Sequence, residues 1–292
     1  MLTHSSSPAR PARVVVIGAT GFVGAALVAR LRRDDIPVLA LGSRDLDLLA
    51  PDAADRLAAL LSPTDSVVAA AAIAPVKNAS MLKDNITLAQ ALTAALAKVP
   101  PAHVVNVSSD AVYGDLPVPL TEDNPAAPGS LHGVMHLARE LMFRAEVKAP
   151  LAMVRPSLLY GAKDPHNGYG PNQFRRKANA GTPISLFGEG EERRDHVYID
   201  DVAEVIARIL LHRSTGVLNI ATGVVHSFKE IAETAIRLAP RAVEIVSLPR
   251  SGPMPHNGYR PFDPAACHAA FPDFRYTPLE EGMAAAQRQE FA

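Results

Sequence analysis

A short β-branched run followed by three evenly spaced glycines constrains this chain more than any other feature. Val14–Ile17 is predicted to be a buried strand, and Gly18 to Gly24 follow the pattern GxxGxxG. Such glycines permit a tight turn, let backbone N–H groups approach a ligand and let the next helix pack closely. This strand–loop–helix unit predicts a pyrophosphate site at Gly18, Thr20, Gly21, Phe22, Val23 and Gly24. The alternative is a helix start that binds no ligand.

Strands and helices alternate through the first half of the chain. Hydrophobic periodicity predicts strands at 14–17, 37–41, 66–73, 104–107 and 151–154, and helices at 24–33, 52–61, 82–98 and 132–147. Helices between successive strands are typical of a parallel sheet covered on both faces, with right-handed crossovers. The fold class predicted is therefore α/β, a Rossmann-type doubly wound parallel sheet.

The pattern changes after Tyr160. Residues 161–190 are rich in proline and glycine, and they precede a helix at 202–211 that Asp200 and Asp201 are suited to cap. A strand at 217–220 and helices at 228–238 and 279–289 follow. We expect a flexible tail at 1–12 and a dinucleotide-binding domain at 13–165, to which 195–225 return. Residues 166–194 and 226–292 are expected to form a smaller C-terminal substrate-binding lobe.

The charge balance and the single cysteine exclude several classes of protein. The chain has 29 Lys and Arg against 30 Asp and Glu, so a strongly basic nucleic-acid or anionic-membrane binder is excluded. Cys267 alone allows no internal disulfide and no multi-cysteine metal site. No apolar stretch approaches the ~18 residues of a membrane helix, and no apolar core of a secretory signal follows Arg13. A cytoplasmic protein without nucleic-acid or membrane partners is expected.

The end of the second strand bears on the choice of cofactor. It has the sequence Leu41-Gly42-Ser43-Arg44, with no acid directly at the strand end to bind the ribose 2′-hydroxyl of NAD; Asp45 comes one residue later. Arg44 is suited to neutralise a 2′-phosphate, so NADP is favoured over NAD. An ordinary surface arginine is the alternative.

Five motifs occur in order along the chain. They are the glycine loop, VSSDAVYG at 107–114, Arg155-Pro156 with Tyr160-Gly161, RDHVYIDDV at 194–202 and GVLNI at 216–220. Together they resemble the extended short-chain dehydrogenase/reductases, the NAD-dependent epimerase/dehydratase family, from about Arg13 to near the C-terminus. The stretch GSRDLDL at 42–48 is most similar to the reductase branch, that of GDP-fucose synthase and dTDP-4-dehydrorhamnose reductase.

This resemblance implies an activity and a set of site residues. It implies a nucleotide sugar held between two lobes, with hydride passing between a sugar carbon and nicotinamide, in a homodimer formed through helices 82–98 and 132–147. Ser109 matches the catalytic Ser/Thr of the family, and Arg194 matches an arginine that grips the substrate diphosphate. Arg260 is a candidate second clamp, and Asn172 lies where the substrate loop runs.

The chain departs from the family where Tyr-x-x-x-Lys is expected. His132 stands at the Tyr position and His136 at the Lys position. An imidazole titrates near neutral pH, so His132 is suited to acid/base chemistry, although its ring nitrogen reaches roughly 2 Å less far than a phenol oxygen. His136 is suited to hydrogen-bond the nicotinamide ribose, without the fixed charge of lysine.

Other interpretations of this site stay open. Asp110, next to Ser109, is a second candidate for proton transfer, whereas Ala111 stands where the dehydratases of the family have a glutamate, which disfavours dehydration. The spacing of His132 and His136 also suits a zinc pair, but no glutamate follows His132 and no third ligand is evident, so no metal is expected.

Two functions compete on this basis. The first is an NAD(P)-dependent nucleotide-sugar-modifying oxidoreductase or epimerase with Ser109, His132, His136 and Asp110 at its catalytic centre. The second is a non-catalytic protein that binds NAD(P) or a nucleotide sugar in a degenerate site.

Overall fold

The computed structural model describes residues 2–5 and 7–291, and its central feature is a six-stranded sheet. The strands are β1 (Val14–Ile17), β2 (Val38–Leu41), β3 (Ser66–Ala69), β4 (His103–Val107), β5 (Leu151–Pro156) and β9 (Gly216–Ile220). They lie in the order β2-β1-β3-β4-β5-β9, and every neighbouring pair is parallel. The carboxyl ends of all six strands therefore meet at one edge, where α/β proteins bind their ligands.

Helices cover both faces of this sheet. They are α1 (Phe22–Arg33), α2 (Ala53–Leu60), α3 (Ala79–Lys98), α4 (Leu131–Glu146) and α6 (Ile199–His212). Val14 and Val16 pack in the apolar cluster under α1 and α6, whereas Val15 and Ile17 pack in the cluster under α2, α3 and α4. This strict alternation along a fully buried strand is that of a sheet sandwiched between helices. The predicted doubly wound α/β fold is confirmed.

A second group of elements lies over the carboxyl edge. Its strands are β6 (Leu158–Tyr160), β7 (Ile184–Phe187), β8 (Arg193–Tyr198), β10 (Val225–Ser227), β11 (Ile245–Leu248) and β12 (Tyr259–Arg260). Its helices are α5 (Pro171–Ala180), α7 (Phe228–Leu238) and α9 (Leu279–Phe291), whereas α8 (Ala265–Ala270) packs beside β9. Strand β8 is central and pairs with β6, β10 and β12, while β7 pairs with β11.

Several elements differ from the sequence expectation. The sequence predicted no strand at 158–160 or 193–198, whereas β6 and β8 lie there and pair with each other in the second sheet. Helix α5 occupies part of the stretch predicted as loop. Asp200 and Asp201 lie inside the first turn of α6 and do not cap it; the Asp201 carboxylate instead accepts hydrogen bonds from Thr277.

The N-terminal segment, expected to be a flexible tail, makes specific contacts in the structure. Residues 1 and 6 of that tail lie outside the described residues. In the rest, Thr3 pairs with Thr215 through two backbone hydrogen bonds of 2.8 Å, and His4 bonds the backbone oxygen of Ala270. This segment therefore packs against the edge of the sheet near β9. Within residues 2–5 and 7–291, no helix is both long and apolar enough to cross a bilayer.

Candidate active site

The glycine loop forms a cradle that side chains would fill. Gly18 has φ +89°, and a Cβ there would lie 2.5 Å from the Ala71 nitrogen. A Cβ on Gly24 would lie 2.1 Å from the Gly18 oxygen, so α1 crosses directly over the loop. Helix α1 starts after Gly21 without a side-chain cap. Its first N–H groups are therefore left for an anionic ligand, and the loop fits the pyrophosphate predicted for it.

A cavity of about 270 Å³ opens beside this loop. Gly18, Thr20 and Gly21 form one wall, residues 41–43 and 46–49 a second, and residues 70–73 a third. The third wall is fixed by Asn85, whose side-chain amide donates to the Ile73 oxygen and accepts from the Ile73 nitrogen, both at 2.9 Å. The cavity thus lies at the carboxyl edge between β1, β2 and β3, as a dinucleotide requires.

The turn after β2 contains an exposed arginine, Arg44, and an aspartate, Asp45, whose carboxylate is already hydrogen-bonded. The Asp45 carboxylate accepts a 2.8 Å hydrogen bond from the Gly42 nitrogen, which closes the turn. Ser43 and Arg44 are exposed, and Ser43 lines the cavity. This arrangement leaves Arg44 available to a ligand and gives Asp45 a structural partner.

We expect Gly24→Ala to destabilise the protein by about 1–3 kcal/mol, because the new methyl group meets backbone and α1 must move away. The same shift should weaken dinucleotide binding. Urea unfolding and titration calorimetry measure the two effects. Gly168→Ala is the control, since a Cβ there meets nothing within 4 Å. Equal stability of the two variants would contradict the packing argument.

Ser109 and the first turn of α4 are held together by a glycine. Ser109 caps a short 3₁₀ turn at Asp110–Val112, accepting from the Ala111 nitrogen and donating to Asp110 at 3.2 Å. A Cβ on Gly133 would lie 2.1 Å from the Ala111 oxygen. Glycine at this position therefore lets the first turn of α4, which carries His132, pack directly against the turn that Ser109 caps.

The two histidines form a contacting pair with partnerless nitrogens. The rings of His132 and His136 lie edge to face, with centroids 4.7 Å apart. The buried Nδ1 atom of each has no hydrogen-bond partner in the described protein. Burial lowers the pKa of His132, an effect increased by His166 and opposed by Asp110, and burial lowers the pKa of His136 still further. Both rings are therefore neutral at pH 7, and the Nδ1 atom of each is a buried polar atom without a hydrogen-bond partner.

The predicted substrate residues differ in their availability. The Arg260 side chain is 2% exposed and is bonded to the carboxylates of Asp110 and Asp115 at 3.1 and 2.7 Å. Arg194 lies beside Arg260 in the β8–β12 pairing, bonds Glu192 at 3.1 Å and keeps a buried Nε atom without a partner. Arg194 is thus the freer of the two cations.

Asn172 is occupied by its own loop. Its Oδ1 atom accepts from the Gly161 nitrogen, and its Nδ2 atom donates to Asp164, both at 2.9 Å. The side chain is buried and ties β6 to α5. Contact of Asn172 with a substrate remains a prediction.

A buried ion-pair network behind the site was not assigned from the sequence. Glu140 accepts two hydrogen bonds from Arg155, at 2.8 and 2.7 Å, and one from Ser108 at 2.7 Å. Arg155 also donates to the Tyr113 hydroxyl, which donates to Asn219. The network joins α4 to β4, β5 and β9. Its signal in the sequence was a glutamate on the buried face of α4 and an arginine inside an otherwise apolar strand.

No three-ligand metal site accompanies the histidine pair. Across residues 2–5 and 7–291, no cluster of three or more His, Cys, Asp or Glu is arranged to hold a metal ion. The site thus combines the glycine cradle, the serine turn, two neutral imidazoles and an arginine with a partnerless Nε atom.

This chain is similar to one protein family and to named relatives. Residues 14–221 match the model of the NAD dependent epimerase/dehydratase family. The chain is 30% identical to UDP-glucose 4-epimerase of Mycolicibacterium smegmatis over 77% of this chain and 81% of that protein. It is also 30% identical to dTDP-6-deoxy-L-talose 4-dehydrogenase (NAD(P)(+)) of Kitasatospora kifunensis, over 82% and 83% of the two chains.

Solved structures share the fold. The GDP-L-fucose synthetase of Naegleria fowleri bound to NADP superposes with a TM-score of 0.84 at 18% identity, covering 98% of this chain and 95% of that chain. UDP-glucose 4-epimerase of Thermus thermophilus in complex with NAD gives 0.81 at 24% identity, covering 94% and 98%. The resemblance drawn from the five motifs is confirmed. This chain belongs to the NAD-dependent epimerase/dehydratase family.

Proposed function

We propose that this protein is an NAD(P)-dependent enzyme that reduces or epimerises the sugar of a nucleotide sugar, with Ser109 and His132 at the reacting centre. The observation that carries the proposal is the pair of neutral imidazoles with partnerless nitrogens beside the Ser109 turn. A buried polar atom without a partner lowers the stability of the fold, so its presence is better explained by a role in binding or catalysis. The family relatives named as a sugar-nucleotide epimerase and dehydrogenase support the same class.

Each residue has a proposed task. The loop at Gly18–Gly24 holds the dinucleotide diphosphate, and His136 hydrogen-bonds its ribose. When bound, the nicotinamide supplies hydride exchange. Ser109 hydrogen-bonds the reacting sugar oxygen, and His132 takes or gives the proton. Because an imidazole is shorter than a phenol, we assign one bridging water between His132 and the sugar.

The charges around the site support His132 over Asp110 as the proton acceptor. The Asp110 carboxylate is ion-paired with Arg260 and also receives the Ser109 hydroxyl. Both carboxylate oxygens of Asp110 are therefore occupied, whereas the Nδ1 atom of His132 has no partner among the described residues. Arg194, with its free Nε atom, is assigned to the substrate diphosphate.

The direct test is product analysis in deuterated water. A panel of nucleotide sugars and their 4-keto forms is incubated with the protein and NADPH or NAD, and the products are analysed by mass spectrometry. Gain of two hydrogens indicates reduction, and deuterium at carbon indicates epimerisation. Loss of water would identify a dehydratase despite Ala111. Cofactor binding with no change in any sugar would instead support a non-catalytic binding protein.

NADP is proposed as the preferred cofactor because Arg44 is exposed and directly follows Ser43, which lines the cavity. We expect Arg44→Ala to weaken NADPH binding about tenfold, since a charge-assisted hydrogen bond to the 2′-phosphate is lost. NADH binding should stay unchanged. Titration calorimetry distinguishes the two ligands, with Arg33→Ala, an exposed arginine at the end of α1, as control. Equal losses for NADPH and NADH would refute a 2′-phosphate contact.

A homodimer through α3 and α4 is also proposed. Leu131, Val134 and Leu141 of α4 are exposed, with Leu141 at 55%, whereas Met135 is buried in the core. We expect Leu141→Glu to convert the dimer to a monomer in analytical ultracentrifugation, because a charge would be buried at the interface. Leu60→Glu, on the exposed end of α2, is the control. A monomeric wild type would overturn this assignment.

A further inference from the structure

Arg139 is a fully enclosed cation at the carboxyl edge of the sheet. It extends from α4 toward β3 and β4, and it is 2% exposed. Its Nε atom donates to Asn106 Oδ1 at 2.6 Å, and one terminal nitrogen donates to the Ala69 oxygen at 2.7 Å. The other terminal nitrogen donates to the Ala71 oxygen. All three acceptors are uncharged.

This guanidinium has no counter-charge. Among the residues that the structure describes, no carboxylate lies within ion-pair distance of Arg139, and the adjacent Glu140 is bound to Arg155 and Ser108. Burial lowers the pKa of Arg139 to about 10, so the group is still charged at pH 7. An enclosed charge without a counter-charge costs free energy even when it is hydrogen-bonded, and an apolar side chain of similar length would avoid that cost.

Arg139 lies next to both the cavity beside the glycine loop and the histidine pair. Its acceptor Ala71 lines the dinucleotide cavity, and the Ala71 nitrogen lies against Gly18 of the glycine loop. His136 lies one helical turn before Arg139, and the charge of Arg139 helps to lower the pKa of His136. His132 also lowers it, while Asp110 and His166 act on His132. The cation therefore lies behind both the cavity wall and the imidazole pair.

We propose that Arg139 supplies a permanent positive field at the floor of the cofactor cleft, which favours a reduced nicotinamide over an oxidised one. The oxidised ring carries a positive charge and the reduced ring does not, so a buried cation disfavours only the former. Arg139 thereby strengthens hydride acceptance in this cleft, which suits a reaction that starts with oxidation of a sugar hydroxyl. This inference rests on the proposed function.

The test compares three ligands by titration calorimetry. They are NADP⁺, NADPH and 2′-phospho-ADP-ribose, which lacks the nicotinamide. The variants are Arg139→Met, which removes the charge, and Arg139→Lys, which keeps it. Asn106→Asp adds a carboxylate at the atom that already accepts from Arg139 Nε, so it neutralises the charge with almost no change in volume. It replaces Arg139→Met if that variant fails to fold.

The wild type should bind NADPH more tightly than NADP⁺. The dissociation constant of NADP⁺ divided by that of NADPH should fall about tenfold in Arg139→Met and in Asn106→Asp. In Arg139→Lys this ratio should keep its wild-type value. Lys148→Met removes an exposed charge just after α4 and should change nothing, because solvent screens it.

Two results would overturn the inference while leaving the proposed function intact. One is an unchanged ratio in every variant. The other is an equal loss of affinity for all three ligands, which indicates a structural role or an attraction for phosphate alone. If the wild type binds none of the four cofactors NADP⁺, NADPH, NAD⁺ and NADH, the proposed function is overturned, and this inference with it.

Discussion

Turnover should fall about 10²–10⁴-fold when His132 is replaced by alanine, while cofactor affinity stays at the wild-type value. The imidazole is proposed to move the proton, whereas the glycine loop and His136 are proposed to hold the dinucleotide. Steady-state kinetics on the substrate found by the product panel measures the first effect, and titration calorimetry the second. Unchanged turnover in His132→Ala would exclude His132 as the acid/base group.

The same residue sets the pH dependence. The pKa of His132 is lowered from the ordinary 6.5 by burial, so the neutral base is present above that pH and is lost only as the pH falls below it. The acidic limb of kcat/KM should therefore lie below pH 6.5 and disappear in His132→Ala. A limb well above 6.5 would assign the proton transfer to another group.

Rebuilding the family pair separates an active site from an impaired one. The double variant His132→Tyr with His136→Lys restores the tyrosine and lysine expected from the resemblance. If the wild-type pair is competent, the double variant should show no large gain in turnover. Activity that appears only in the double variant would support the binding-only alternative for the natural protein.

Glu140→Gln should destabilise the protein by about 3–5 kcal/mol. Glutamine keeps the shape of Glu140 but leaves Arg155 charged and without a carboxylate in a buried site. Urea unfolding measures the loss, and Glu146→Gln, exposed on the same helix, is the control. A loss no larger than that of the control would show that the ion pair contributes little.

A second variant separates charge from packing. Replacing both partners, Glu140→Met with Arg155→Met, should recover most of the lost stability, because no unpaired charge is left inside. Turnover need not recover, since α4 carries His132 and His136 and is oriented partly by this network. A double variant less stable than Glu140→Gln would indicate that the hydrogen bonds of Arg155 to Tyr113, and of Ser108 to Glu140, matter more than the charges.

The sequence predicted the first domain well because its signals are local. The strand, glycine loop and start of α1 lie within residues 14–33, and each glycine has a steric reason that depends on near neighbours or on the next strand. Helices α3 and α4 were predicted to within three residues at either end, since their apolar positions repeat at helical spacing. Ser109 and the histidine pair were singled out through the family resemblance, and their roles in the site stay predictions.

The second lobe was predicted poorly for the opposite reason. Strands β7, β10, β11 and β12 have two to four residues, too few for a periodic pattern. Their pairing brings together segments far apart in the chain, such as Ile184 with Ile245 and Arg260 with Arg194. Helix α5 is rich in polar residues and was hidden among glycines and prolines.

The sequence by itself determined the parallel α/β architecture and the glycine loop, because hydrophobic periodicity and glycine spacing are local features. The replacement of tyrosine and lysine by two histidines followed from the resemblance to the family. Only the tertiary structure decided which charges are free. It tied Arg260 to Asp110 across 150 positions, left Arg194 with a partnerless nitrogen and enclosed Arg139 without a carboxylate. Ion pairing depends on distances between residues remote in sequence, and no local pattern encodes those distances.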